Sequence, residues 1–187
     1  MNDDSDSCHS ATSQDPPKPA VAGEVTVDVL IEAGDWSSFA DIENFVIIAA
    51  QAAARFPEAG LAGGQAAIAL SNDAQVATLN ADFRGKPAPT NVLSFPAPKG
   101  LPTEEGEGRF LGDIILAAET LDREAADLGI PPKHHLQHLV VHGLLHLAGF
   151  DHIEEEDAQE MEALETRILA TLNIPDPYTH PMDEVKA

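Results

Sequence analysis

The sequence predicts an α+β fold: a single domain with a roughly four-stranded mixed sheet covered by helices, and a histidine-rich helix near the C-terminal half. Three observations carry this expectation. The chain has 187 residues, 43% of them apolar, which suits one substantial core. Four short apolar or alternating stretches bounded by turn residues read as strands. The longer segments around them carry helix start and stop signals, and no internal repeat interrupts the order.

Residues 1–23 are rich in Ser, Asp and Pro and read as a disordered acidic tail. The domain is therefore expected over 24–175, with a frayed C-terminal tail over 176–187. Residues 24–32 alternate Val25, Val27, Val29 and Ile31 with other partners, the pattern of a half-buried strand. A helix is expected over 38–55, stopped by Pro57 and the glycine-rich loop at 60–64. Residues 65–70 read as a second strand, after which Asn72 or Asp73 caps a short helix reaching Asp82. Residues 90–95 form the third strand, closed by Pro96 and Pro98, in a sheet expected to be partly antiparallel. A Gly, Pro and Glu loop at 97–109 leads to a fourth strand at 110–116. The next helix, 119–128, ends at Gly129. Pro131 and Pro132 then open the histidine helix, where a missing N–H costs little. The final helix spans 154–172, and its acidic start complements the helix dipole.

Charge and cysteine usage narrow the function classes. Ten basic against 32 acidic residues give a formal net charge of −22, which argues against non-specific polyanion binding. Residues 84–103 are the exception: they hold no acid and carry Arg84, Lys86 and Lys99. Cys8 is the only cysteine, so an intramolecular disulfide is excluded. The acidic, polar start lacks a signal peptide's basic and apolar regions, and no apolar run is long enough for a bilayer. The expected setting is cytoplasmic, with no membrane partner.

The chemistry concentrates in residues 142–152, His-Gly-Leu-Leu-His-Leu-Ala-Gly-Phe-Asp-His. At ~3.6 residues per turn, His142 and His146 project from one helix face and can share an ion. Gly149 lets the chain turn back and bring His152 to the same ion. Three neutral imidazoles leave a divalent cation, best matched by Zn2+, with an open position as in catalytic sites. The spacing follows the long zinc-protease signature except that Gly143 replaces the glutamate base. His138 continues the ladder as a residue that orients a ligand or, equally, only packs. Asp151 either holds a ligand's second nitrogen or caps the following helix. Asp113, a charge amid apolar residues, either pairs with Arg84 or a ligand histidine, or faces solvent. The arginine fork of Arg84 suits phosphate oxygens, with Lys86, Thr90, Asn91, Ser94 and Lys99 as further candidates for phosphate contact, unless the segment is only an exposed loop.

Four segments in order carry a family resemblance: 79–86 (Leu-Asn-Ala-Asp-Phe-Arg-Gly-Lys), 89–96 (Pro-Thr-Asn-Val-Leu-Ser-Phe-Pro), 111–114 (Leu-Gly-Asp-Ile) and 138–152. Together they resemble the YbeY family, bacterial single-strand-specific endoribonucleases that mature ribosomal RNA, notably the 3′ end of the small-subunit (16S) RNA. The resemblance runs from the first strand to Asp176-Pro177-Tyr178. It implies that His142, His146 and His152 bind one divalent metal, usually zinc, and that Arg84 is the key positive residue. One departure is Pro87-Ala88, where the family loop commonly has an Asp-Lys pair; the acidic N-terminal tail also lies outside the family core.

The function expected on these grounds is metal-dependent cleavage of single-stranded RNA in ribosome biogenesis, with Arg84 catalytic at the phosphate. Ribosomal RNA precursors and small-subunit proteins are the expected partners, since basic ribosomal proteins suit the acidic surface; DNA is not expected. Two alternatives stand beside it. One is a non-catalytic ribosome assembly factor with a structural metal, the other a zinc peptidase, which would lack its base at Gly143.

Overall fold

In the computed structural model, which describes residues 23–98, 100–101 and 108–179, four strands form one sheet in the order β1-β2-β4-β3. The strands are β1 (Thr26–Ile31), β2 (Gly64–Ser71), β3 (Val92–Pro96) and β4 (Arg109–Ala117). β1 and β4 run parallel to β2, while β3 is antiparallel to β4. The helices are α1 (Ile42–Ala54), α2 (Asp73–Arg84), α3 (Ala118–Leu128), α4 (Pro132–Ala148) and α5 (Glu155–Thr171). The α+β expectation with a mixed four-stranded sheet is met. The tail at 1–22, Lys99 and residues 180–187 lie outside the described residues.

Strand alternation divides the apolar side chains between two faces. Ala66, Ile68 and Leu70 of β2 join the main core, shared with α1, α4 and α5. On the opposite face Val76 of α2 meets Leu93, Ile115 and Ala117 in a smaller cluster. A bulge in β4 keeps this division in phase. Gln65 pairs with Phe110 and Ala66 with Gly112, so Leu111 is the extra residue and both Leu111 and Ile114 reach the main core. Gly112 adopts φ +136° there, and a Cβ would lie 2.2 Å from the Phe95 carbonyl oxygen, so glycine is required.

α4 lies at the centre, packed on β3, β4 and the other long helices except α2. It is buried on most of its circumference, which is why Leu136, Leu139, Val140, Val141, Leu144 and Leu145 show no single apolar stripe. Pro132 starts it. Gly149, at φ +107°, ends it by donating its N–H to the carbonyls of Leu145 and His146.

Several boundaries differ from the sequence expectation. α1 begins at Ile42 because residues 38–41 form turns. Ile31, expected to be half-buried, is 55% exposed at the end of the edge strand β1. α2 is capped by the Asn72 side chain, which accepts from the Gln75 N–H, and it extends to Arg84. Among the described residues, no helix is long and apolar enough to cross a membrane.

Candidate metal centre

The C-terminal half of α4 and the turn after it bring three imidazoles together. One ring nitrogen from each of His142, His146 and His152 lies within 4.8 Å of the others. The Nε2 atoms of His142 and His146 face each other at 3.0 Å. Their opposite nitrogens define the tautomers. His142 Nδ1 lies 2.8 Å from a Glu165 carboxylate oxygen, and His146 Nδ1 lies 3.0 Å from the Phe150 carbonyl. An ionised carboxylate and a carbonyl only accept, so each Nδ1 carries a proton and each Nε2, in the neutral ring, presents a lone pair. Two lone pairs at 3.0 Å repel unless a cation lies between them. Burial, with the neighbouring His142 adding to it, holds the His146 pKa below its usual value, which favours the neutral, ligating form. The donor set therefore fits a zinc-like ion: three imidazole nitrogens, no thiolate and one side open.

Glu165 is the functional residue that sequence reasoning missed. It lies in α5, fully buried, where it accepts from His142 and, at 3.0 Å, from His138 Nε2. The Tyr178 hydroxyl donates to the same carboxylate. Burial alone would raise the Glu165 pKa, but the hydrogen bonds from His138 and His142 hold it at about 2. Burial and the Glu165 charge push the Tyr178 hydroxyl pKa upward. A signal was present: Met161, Leu164, Glu165, Ile168 and Leu169 form the buried face of α5, and a glutamate on that stripe needs a partner. The domain edge expected after residue 175 falls inside this contact, since Tyr178 lies beyond it.

The other sequence candidates divide. His138 is a neighbour of the ligands, joined to His142 through Glu165. Asp151 touches no ligand ring and caps no helix; its carboxylate accepts the His152 backbone N–H at 2.8 Å, pinning the turn. Asp113 is exposed and pairs in register with Phe95. The β4 bulge puts it in phase with Ile115, facing away from α4, so the expected pairing with Arg84 or a histidine does not form. Asn91 is engaged by the scaffold. Its amide donates to Glu124 at 2.8 Å, its oxygen accepts from the Val92 N–H at 2.7 Å, and Glu124 also meets His135 Nε2 at 2.8 Å. Thr90 is half-buried with its hydroxyl on Asn91, and Lys86 is exposed just past the α2 cap.

Arg84 is the last residue of α2 rather than part of a turn leading into β3. Gly85, at φ +68°, closes the helix, and Asn80 steadies the following loop by donating to the Ala88 carbonyl at 2.7 Å. From this firm end Arg84 lines an open cleft of about 470 Å³ together with Ser94, His146, His152 and Ile153. Gly143 faces the sheet: a Cβ there would lie 2.9 Å from Ile114 Cδ1 and 3.2 Å from the Ser94 hydroxyl. A side chain at the position where a zinc protease keeps its glutamate would thus press on Ile114 and Ser94, which would have to shift to admit it.

Comparison with known proteins finds relatives over most of the chain. The family described as Endoribonuclease YbeY matches residues 36–173. A protein named Endoribonuclease YbeY from Rhodopseudomonas palustris strain CGA009 is 50% identical over 151 residues, covering 81% of this chain and 80% of that protein. One of the same name from Nitrobacter hamburgensis is 46% identical over 176 residues, covering 87% of this chain and 93% of that protein. A Thermotoga maritima protein of known solution structure shares the fold, with a TM-score of 0.52 at 21% identity, covering 84% of this chain and 98% of that one.

Proposed function

This chain belongs to the YbeY endoribonuclease family, and on that premise we propose that it cleaves single-stranded RNA in the cleft lined by Arg84, His146 and His152. The observation that carries this reading is the opening of Arg84, Ser94, His146 and His152 into one cavity. A divalent ion, zinc by its donor set, would be held by His142, His146 and His152. When bound, it supplies Lewis acidity and a means of acidifying water at neutral pH.

The chain's own residues do the rest. Arg84 offers a planar fork to the non-bridging phosphate oxygens and stabilises the charge that grows on them in the transition state. Ser94 adds a neutral hydrogen-bonding group beside it, and Lys86 meets a flanking phosphate. A cleft of about 470 Å³ is of small-ligand size, suited to a splayed nucleotide rather than a duplex. The catalytic unit covers residues 24–175 and draws on Tyr178 beyond them.

We assign the physiological substrate to precursors of small-subunit ribosomal RNA, including 3′-end maturation, in the cytoplasm. A net charge of −22 disfavours capture of free RNA and suits action on an assembling particle, where basic ribosomal proteins meet the acidic surface. The peptidase alternative is disfavoured by the crowding at Gly143. The test is cleavage of single-stranded RNA, duplex RNA and casein by zinc-loaded and chelated protein. Zinc-dependent cleavage of single-stranded RNA alone is expected. Zinc-loaded protein that cleaves nothing would move the assembly-factor reading ahead.

A further inference from the structure

Glu165 is a fully buried charge, and it is surrounded by donors rather than cations. A desolvated carboxylate is stable only when its oxygens are hydrogen-bonded. Oε1 accepts from His142 Nδ1 at 2.8 Å, and Oε2 accepts from His138 Nε2 at 3.0 Å and from the Tyr178 hydroxyl. Tyr178 reaches back from beyond α5. Asp176 holds it there, accepting the Tyr178 N–H at 2.9 Å and the Thr166 hydroxyl of α5 at 3.2 Å. The His138 ring meets Tyr178 edge-on on one side, with centroids 5.9 Å apart, and His142 on the other at 6.2 Å.

We propose that Glu165, clamped by His138 and Tyr178, is the positioning residue of the metal centre: it fixes His142 in the Nδ1–H tautomer, presents Nε2 to the ion and ties residues 176–178 to metal affinity. The proposal rests on the assignment of His142, His146 and His152 as ligands. A carboxylate behind a ligating imidazole fixes its ring orientation and raises its basicity. His138, His142 and Glu165 are also close enough to hold a cation of their own. The distances favour hydrogen bonds, however, since 2.8 and 3.0 Å are ordinary N···O separations. His142 Nδ1 also cannot both donate to Glu165 and bind a second ion.

The test measures zinc affinity by competition with a chromophoric chelator, the melting of the metal-free protein, and imidazole tautomers by 15N NMR. Glu165→Gln preserves shape, so the metal-free protein should stay folded while zinc affinity falls about 10–100-fold. Its His142 should lose the single Nδ1–H tautomer. Tyr178→Phe should lower zinc affinity less, because two donors to Glu165 remain. Wild-type affinity and an unchanged tautomer in Glu165→Gln would overturn the proposal. So would two zinc equivalents in the wild type and one in Glu165→Gln, which would make Glu165 a ligand. If Glu165→Gln does not fold, an unchanged affinity in Tyr178→Phe overturns the clamp and a reduced one supports it. His146→Ala separates the premises: full zinc retention there refutes the ligand assignment, whereas zinc loss there beside normal binding in Glu165→Gln refutes only the role of Glu165.

Discussion

Replacing Arg84 with alanine separates chemistry from folding. The side chain is exposed at the last position of α2, and among the described residues no carboxylate pairs with it. Its loss removes a favourable cation at a helix C-terminus, a contribution of about 0.3–1 kcal/mol. Alanine's higher helix propensity offsets part of that by a few tenths of a kcal/mol. Stability should therefore change by less than about 1 kcal/mol, or roughly 2–4 °C in Tm. The effect on cleavage is of another size. Deleting one donor that meets developing negative charge typically costs ~10²–10³ in rate, about 2.7–4 kcal/mol of transition-state stabilisation. The assay is single-turnover cleavage of single-stranded RNA at saturating concentration, by variant protein with verified zinc content and melting curve. Arg84→Lys should recover little, because a point charge does not reproduce the planar fork. A wild-type rate for folded, zinc-loaded Arg84→Ala would remove Arg84 from the chemistry and undo the reading of the cleft.

Three further outcomes follow from the same structure. Gly143→Glu should lower Tm without creating a peptidase, since overpacking against Ile114 and Ser94 costs about 1–3 kcal/mol, or ~2–12 °C, before the carboxylate's desolvation is counted. Zinc-dependent casein hydrolysis by that variant would contradict the geometry. Chelation should lower Tm by about 8–16 °C relative to protein in free zinc at 1,000 times its Kd, because binding then contributes ~4.1 kcal/mol to the folded state; coincident melting curves after verified metal loss would refute the coupling. Burial holds the His135 pKa below 6.5 despite its contact with Glu124, so the unfolded chain takes up its proton first as pH falls. The His135 contribution to stability is thus complete above about pH 6.5 and declines below it. Denaturant titrations of metal-free protein at pH 7.5 and 5.5 should show a smaller difference for His135→Gln than for the wild type, and an equal difference would refute the assignment.

Features fixed by neighbouring residues were legible before folding. His142 and His146 are one helical turn apart, Gly149 lets the chain reverse, and His152 returns three residues later, so the grouping of the three histidines was legible from spacing. The same holds for most elements: alternation in β2, the Asn72 cap and the proline start of α4 act over a few residues. Side chains whose role depends on distant parts of the chain were not legible. Glu165 and Tyr178 looked like a helix carboxylate and a frayed end until α5 packed against α4, which brought Glu165 onto a histidine 23 residues away. Whether Asp113 pairs with Arg84 or a histidine or faces solvent was open until the β4 bulge set the phase of the strand. Asn91 looked like an RNA contact until Glu124 took its amide. Gly143 looked like a missing base, and only the tertiary structure shows that a side chain there would crowd Ile114 and Ser94. Spacing along a helix is set by the backbone's own geometry, whereas the partner of a buried polar group is chosen by which elements pack together, and that depends on the whole core.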